Sequence, residues 1–174
     1  MRAGRGPFLI ILSGLPGSGK TTLARALARE LGAVHIRIDT IEQALMRSSL
    51  GVDDAADAGY AAGIALAEDN LRLGHLVIAD SVNPLPVTRE AWRGAAQRAG
   101  APFSDIEIIC SDRAEHRARV EVRRADMEGH VPPTWAEVEA RDYRPFGEGC
   151  QRIDTAGRSE ADCLSELLAG LQGL

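Results

Sequence analysis

Gly14-Leu15-Pro16-Gly17-Ser18-Gly19-Lys20-Thr21, with Thr22 behind it, fits the spacing G-x-x-x-x-G-K-[ST]. Glycines let a chain wrap closely around a row of phosphates and turn its N–H groups inward. A helix that starts here adds the partial positive charge of its N-terminus. Lys20 then reaches the β- and γ-phosphates of a nucleoside triphosphate, and the Thr21 hydroxyl ligates magnesium. Lys20 is also the only lysine among 20 basic residues, the rest being arginine. Abundant Ala and Gly give that bias a bland cause, a G+C-rich genome. A lysine kept under such pressure marks a place where a planar guanidinium cannot replace a compact ammonium on a flexible stem. The alternative is a strand-to-helix turn that holds no ligand.

Two carboxylates and a basic helix extend the pattern. Asp80 follows the apolar stretch Leu76-Val-Ile-Ala, which suits holding magnesium directly or through water, or else a solvated strand end. Asp39 follows Ile36-Arg-Ile. There it either accepts a hydroxyl proton during phosphoryl transfer or caps the next helix. Between Arg113 and Arg124 stand five arginines, with Arg119 and Arg123 one turn apart on a shared face. They either neutralise charge on a transferred phosphoryl group or form a solvated face with Glu115 and Glu121.

The elements that must position these groups follow from periodicity. Phe8–Leu12 is a continuous apolar run, as in a central parallel strand covered on both faces. Gly19–Leu31 carries a helical apolar stripe ended by Gly32. Val34–Ile38 is a second strand finishing at Asp39, and Thr40–Ser48 and Ala55–Leu73 are helices. Leu76–Ala79 is a third strand finishing at Asp80, Pro86–Ala99 a helix and Ile106–Cys110 a fourth strand. The spacing predicts a helix over Arg113–Arg124, a short one over Thr134–Arg141 capped by Thr134, a weak fifth strand over Arg152–Thr155 and a closing helix over Ser159–Leu171. Alternating strands and helices predict a parallel α/β sheet with right-handed crossovers. Ligands bind beyond the carboxyl ends of such strands, where Gly14–Thr22, Asp39, Asp80 and Ser111–Asp112 all fall.

Composition narrows the classes. With 174 residues the chain has the length of one domain, and 45% hydrophobic and 26% charged residues are ordinary for a globular protein. A formal net charge of −5 argues against a broad nucleic-acid-coating surface. Cys110, Cys150 and Cys163 have neither disulfide-framework nor zinc-site spacing. The first apolar run is too short for a membrane span, and no small-residue cleavage pattern follows it, so the expectation is a cytoplasmic protein without membrane contact.

Taken together, Gly14–Thr22, Asp39, the Val77-Ile-Ala-Asp80 strand and the Arg119-x-x-x-Arg123 helix resemble the small AAA-type ATP-binding, kinase-like P-loop family. That family is related to the polynucleotide 5′-kinase domain, chloramphenicol phosphotransferase and zeta toxins. The resemblance runs from Leu9 to about Leu168. It implies a single P-loop NTPase domain over 1–174, a three-layer, adenylate-kinase-like sandwich whose five parallel strands are ordered 2-3-1-4-5, with a mobile lid over about 125–149. It implies ATP and Mg2+ as ligands, with residues 14–22 on the nucleotide and Thr21 and Asp80 on the metal. It makes Asp39 the catalytic base, sets Arg119 near adenine and Arg123 on the phosphates, and lays Thr155-Ala-Gly157 beside the base. The stretch Asp126–Pro145 departs from the pattern in having no zinc cysteines, and no basic channel for a nucleic-acid end is visible.

The function expected is transfer of the γ-phosphoryl group of ATP to a hydroxyl or phosphate of an unidentified small molecule. The alternatives are an ATP-responsive regulatory module with little turnover and a polynucleotide or tRNA kinase. Substrate choice is expected in Ala55–Leu73, Ser81–Thr88 and the lid, with Asn83 and Tyr60 as candidate contacts. The lid, Asp126–Gly149, is expected among the least stable parts of the fold, having tandem prolines and few large apolar residues.

Overall fold

The computed structural model describes residues 6–49, 51–125, 129, 131–147 and 149–171. Five strands, β1 (Phe8–Ser13), β2 (Val34–Arg37), β3 (Leu76–Asp80), β4 (Phe103–Ile109) and β5 (Gln151–Asp154), form one sheet. All pairings are parallel and the order is β2-β3-β1-β4-β5.

Strand alternation divides the core into two halves. Ile10 and Leu12 point to one face, where Leu23 and Leu27 of α1 (Lys20–Leu31) and Cys163 and Leu167 of α7 (Glu160–Gly170) cover them. Leu9 and Ile11 point to the other, under Ala67 and Leu71 of α3 (Ala58–Arg72) and Trp92 and Ala96 of α4 (Pro86–Arg98). Both faces of β1 are thereby dry, as its unbroken apolar run requires. The remaining helices are α2 (Ile38–Met46), α5 (Arg113–Val122) and α6 (Trp135–Ala140). Among the described residues, no helix is long and apolar enough to cross a membrane.

Several boundaries differ from the sequence expectation. The second strand ends at Arg37, and α2 begins at Ile38 with Arg37 as its N-cap residue and no capping side chain. Asp39 therefore lies in the first helical turn, so the capping role is excluded. The turn is abrupt because Ile38 drives into the core beside Gly63, where a Cβ would come 2.5 Å from the Ile38 Cδ1. β4 starts at Phe103, since pairing with Leu9 extends it through polar Ser104 and Asp105. α5 opens on Asp112, whose carboxylate accepts from the N–H groups of Ala114 and Glu115, and closes at Val122. Arg123 is its C-cap residue in extended conformation.

The stretch expected as a lid has two parts, and its residues 126–128, 130 and 148 lie outside the described ones. Thr134 and Glu137 form a reciprocal capping box that starts α6. Tyr143–Phe146, by contrast, is fastened to the body. Tyr143 donates to Glu107 at 2.9 Å, the Arg144 N–H donates to Pro84 O at 2.9 Å, and Phe146 is buried under the Arg89 guanidinium, 3.6 Å from its ring centre.

Candidate functional site

The glycine-rich loop joins β1 to α1 at the carboxyl end of the sheet. Gly14 passes so close to β4 that a Cβ there would lie 2.2 Å from Ile108 O. Gly17, at φ 83°, faces α5, and its Cβ would lie 2.6 Å from Val120. Any side chain at either position would push the loop off its seat.

Behind the loop lies a buried ionic cluster. Lys20 Nζ is 3.1 Å from Asp80 Oδ1, and the Thr21 hydroxyl donates to the same oxygen at 3.3 Å. Asp80 is 1% exposed, so its charge depends on these partners. Burial alone would raise its pKa, but the Lys20 ammonium and His35 outweigh that and hold the carboxyl well below its usual range. His35 Nε2 sits 3.1 Å from Asp80 Oδ2. Because a carboxylate only accepts, this nitrogen carries the proton. Local sequence barely marks His35 as a site residue. Its one signal was a polar residue inside the apolar strand Val34-His-Ile.

Two cavities open on either side of this cluster. The first, about 410 Å³, is lined by Leu15, Pro16, Gly17, Gly19, Lys20, Thr21 and Thr22 of the loop. Arg119, Arg123 and Thr155 complete its wall, with Arg25, Arg124 and Arg158 nearby. Among the described lining residues, six basic side chains face a single acid, Glu160, which suits a polyanion. Gly14 and Ser18 do not reach this wall: the Gly14 N–H donates to Val82 O, and Ser18 is 1% exposed. Gly157 does not reach it either, and its N–H donates to Glu115. Arg119 donates to the Thr155 hydroxyl at 2.8 Å and the Thr155 carbonyl at 2.9 Å, while Glu115 accepts from it at 2.5 Å. These bonds tie α5 to the loop after β5.

The second cavity, about 670 Å³, is lined by Pro16, Lys20 and Arg123 on one side and by Asp39, Glu42 and Tyr60 opposite. Val131, Pro132, Pro133, Glu137 and Arg141 close it from the stretch around α6. Asp39 is oriented by Arg37, whose Nη2 is 3.3 Å from Oδ2. Arg119 and Arg123, argued from spacing to share one ligand, both face the first cavity, but only Arg123 faces the second as well. α6 is braced from below: Trp135 packs edge-on against His116 at 5.2 Å, and His116 Nε2 is 2.8 Å from Pro16 O of the loop.

Asn83 is not a ligand contact. It is fully buried, its Oδ1 accepts from Ser81 and Trp92, and its Nδ2 donates to Ser13. Those bonds hold the turn after β3, where Asn83 adopts φ 48°. Tyr60 keeps its place on the cavity wall while its oxygen accepts from the Asn83 N–H.

A five-stranded parallel sheet of this order, with a glycine-rich loop after its central strand, is the fold of a P-loop kinase-like protein. The model of the AAA domain family matches residues 9–140, and the chain belongs to that family. Uncharacterized proteins of Mycobacterium tuberculosis and Mycobacterium bovis are 30% identical over an alignment of 164 residues that covers 87% of this chain. The chain spans about a third, 32%, of the length of these relatives. Among solved structures, a putative kinase from Chloroflexus aurantiacus has a TM-score of 0.74 at 23% identity, with 97% of each chain covered. A gluconokinase from Sinorhizobium meliloti has a TM-score of 0.67 at 22% identity, covering 97% of this chain and 93% of its own. An APS kinase from Mycobacterium tuberculosis, solved with AMPPNP and APS, has 0.69 at 20%, covering 98% and 99%. At these identities the likeness is one of fold.

Proposed function

We propose that the chain is a single P-loop domain that transfers the γ-phosphoryl group of ATP to a hydroxyl or phosphate of a small molecule. The observation carrying this reading is that two cavities meet at Pro16, Lys20 and Arg123, one strongly basic and the other holding Asp39 on its far wall. A nucleotide-binding regulator needs the first cavity only. In this reading residues 14–22 cradle the phosphates, with Gly14 and Ser18 supporting the loop from behind. Arg119 and Thr155 form the side next to the adenine, with Gly157 behind them on the same loop. Lys20 leaves Asp80 for the β- and γ-phosphates as the nucleotide enters.

The oxygen set of Thr21 and Asp80 fits Mg2+, which takes few protein ligands and shares phosphate oxygens. When bound, the metal neutralises charge on the phosphates. His35 keeps Asp80 oriented after Lys20 has moved away. Asp39 takes the proton of the attacking hydroxyl, and Arg123 offsets charge on the transferred group. The acceptor oxygen bonds to the γ-phosphorus, the bond from that phosphorus to the β–γ bridging oxygen breaks, and ADP departs. A reaction fed by ATP fits a cytoplasmic protein.

The test is transfer from γ-labelled ATP to small-molecule alcohols, nucleosides and 5′-hydroxyl oligonucleotides. Label is expected on small molecules. Label on oligonucleotides alone would make it a nucleic-acid kinase, and ATP binding with no labelled product would favour the regulatory reading.

A further inference from the structure

The two cavities differ in charge, and the difference bears on what the acceptor is. This inference rests on the phosphotransferase reading above. The acceptor-side cavity is lined by Lys20, Arg123 and Arg141 against Asp39, Glu42 and Glu137. Lys20 and Arg123 also face the first cavity and are drawn to the triphosphate there. Among the described lining residues, Arg141 is then the one other basic group beside three carboxylates, and its charge already acts on two of them, Glu42 and Glu137.

Two of those carboxylates already have partners. Glu137 accepts from the N–H and hydroxyl of Thr134, and Asp39 is paired with Arg37. Glu42 has no hydrogen bond or ion pair among the described residues. Its stem lies against α3 where Gly59 leaves room, since a Cβ there would come 2.4 Å from Glu42 Cγ. That contact holds the carboxylate at the cavity wall. Burial pushes its pKa up and the charges of Asp39 and Asp54 push it further, and the weaker opposing pull of the Arg141 guanidinium does not cancel them. A half-buried carboxylate in such a field is stabilised by an incoming hydrogen-bond donor or cation and destabilised by another anion. Asp39 and Glu42 are three residues apart on α2 and so share a face, about 5–6 Å between Cβ atoms. Tyr60 and Thr88 add hydroxyl groups to the wall.

We propose that the acceptor is a small alcohol bearing further hydroxyl or amino groups and no phosphate, sulfate or carboxylate, and that Glu42 receives one of those groups beside the hydroxyl held at Asp39. The shared chemistry is an O–H or N–H donor a few ångströms from the reacting oxygen. The reacting hydroxyl gives its proton to Asp39 and its oxygen to the γ-phosphorus, so the products are a phosphate monoester and ADP.

The experiment offers γ-labelled ATP with three probe sets: uncharged polyols such as hexoses and inositol, amino alcohols and aminosugars, and sugar phosphates with nucleoside phosphosulfates. Label is expected in the first or second set and not in the third. Glu42→Gln should raise the acceptor KM roughly tenfold or more with kcat little changed, and more for amines than for polyols, because a charged acceptor is lost. Melting temperature and ATP affinity of the variant show that it is folded. Preferential labelling of the third set, or an unaltered KM in Glu42→Gln, would overturn the proposal. A protein that binds ATP but labels no probe would overturn the phosphotransferase reading, and the acceptor class with it.

Discussion

Asp39→Asn should lower phosphoryl transfer by about 10²–10⁴ while leaving ATP affinity nearly unchanged. Asp39 lies in the first turn of α2, outside the basic cavity, so the nucleotide does not depend on it. The amide keeps the size of the carboxylate and can still accept from Arg37, but it cannot take a hydroxyl proton. Because the amide oxygen still accepts from the buried Arg37 guanidinium and the Asp39 side chain is itself 31% exposed, the fold should survive. Steady-state kinetics with a labelled acceptor, alongside calorimetric ATP binding, separates the two effects. Near-wild-type turnover in Asp39→Asn would remove Asp39 from the chemistry.

Arg123→Ala should cost as much or more, roughly 10³–10⁵-fold in kcat, with a smaller loss of nucleotide affinity. Arg123 borders both cavities, the position from which its charge would meet a transferred phosphoryl group. Arg117 makes a control from the same helix: it is 58% exposed and paired with Glu121 at 2.7 Å, so Arg117→Ala should leave turnover alone. Equal, slight effects of the two substitutions would mean that the arginines of α5 and its C-cap form only a solvated face.

Local sequence carried the sheet and the phosphate loop because their causes are local. The runs Phe8–Leu12 and Leu76–Ala79 are apolar enough for strands covered on both faces, and the glycine spacing sits between strand and helix as it must. The sheet order came from the resemblance, since periodicity says nothing about which strands are neighbours. The start of α2 was misjudged because Ile36-Arg-Ile alternates like a strand, whereas Ile38 turns inward through room left by Gly63, 25 positions away (63 − 38). His35, His116 and Glu42 carry no local signal for a related reason. His35 meets Asp80 across 45 residues and His116 meets Pro16 across 100, contacts that no local pattern announces. The fastening of Tyr143–Phe146 has no local signal either, since the Arg89 that covers Phe146 lies in α4, far from the prolines that mark the stretch as irregular.

Because Lys20 is the only lysine in the chain, an amine-reactive reagent meets just two targets, Lys20 and the N-terminal amine. If the loop of residues 14–21 holds the nucleotide phosphates, ATP with Mg2+ should protect Lys20 from labelling, as read by peptide mass spectrometry, while the N-terminal amine stays reactive. In Asp39→Asn the same protection should persist, since that substitution leaves the basic cavity intact. Equal labelling of Lys20 with and without ATP and Mg2+ would contradict nucleotide binding at this loop.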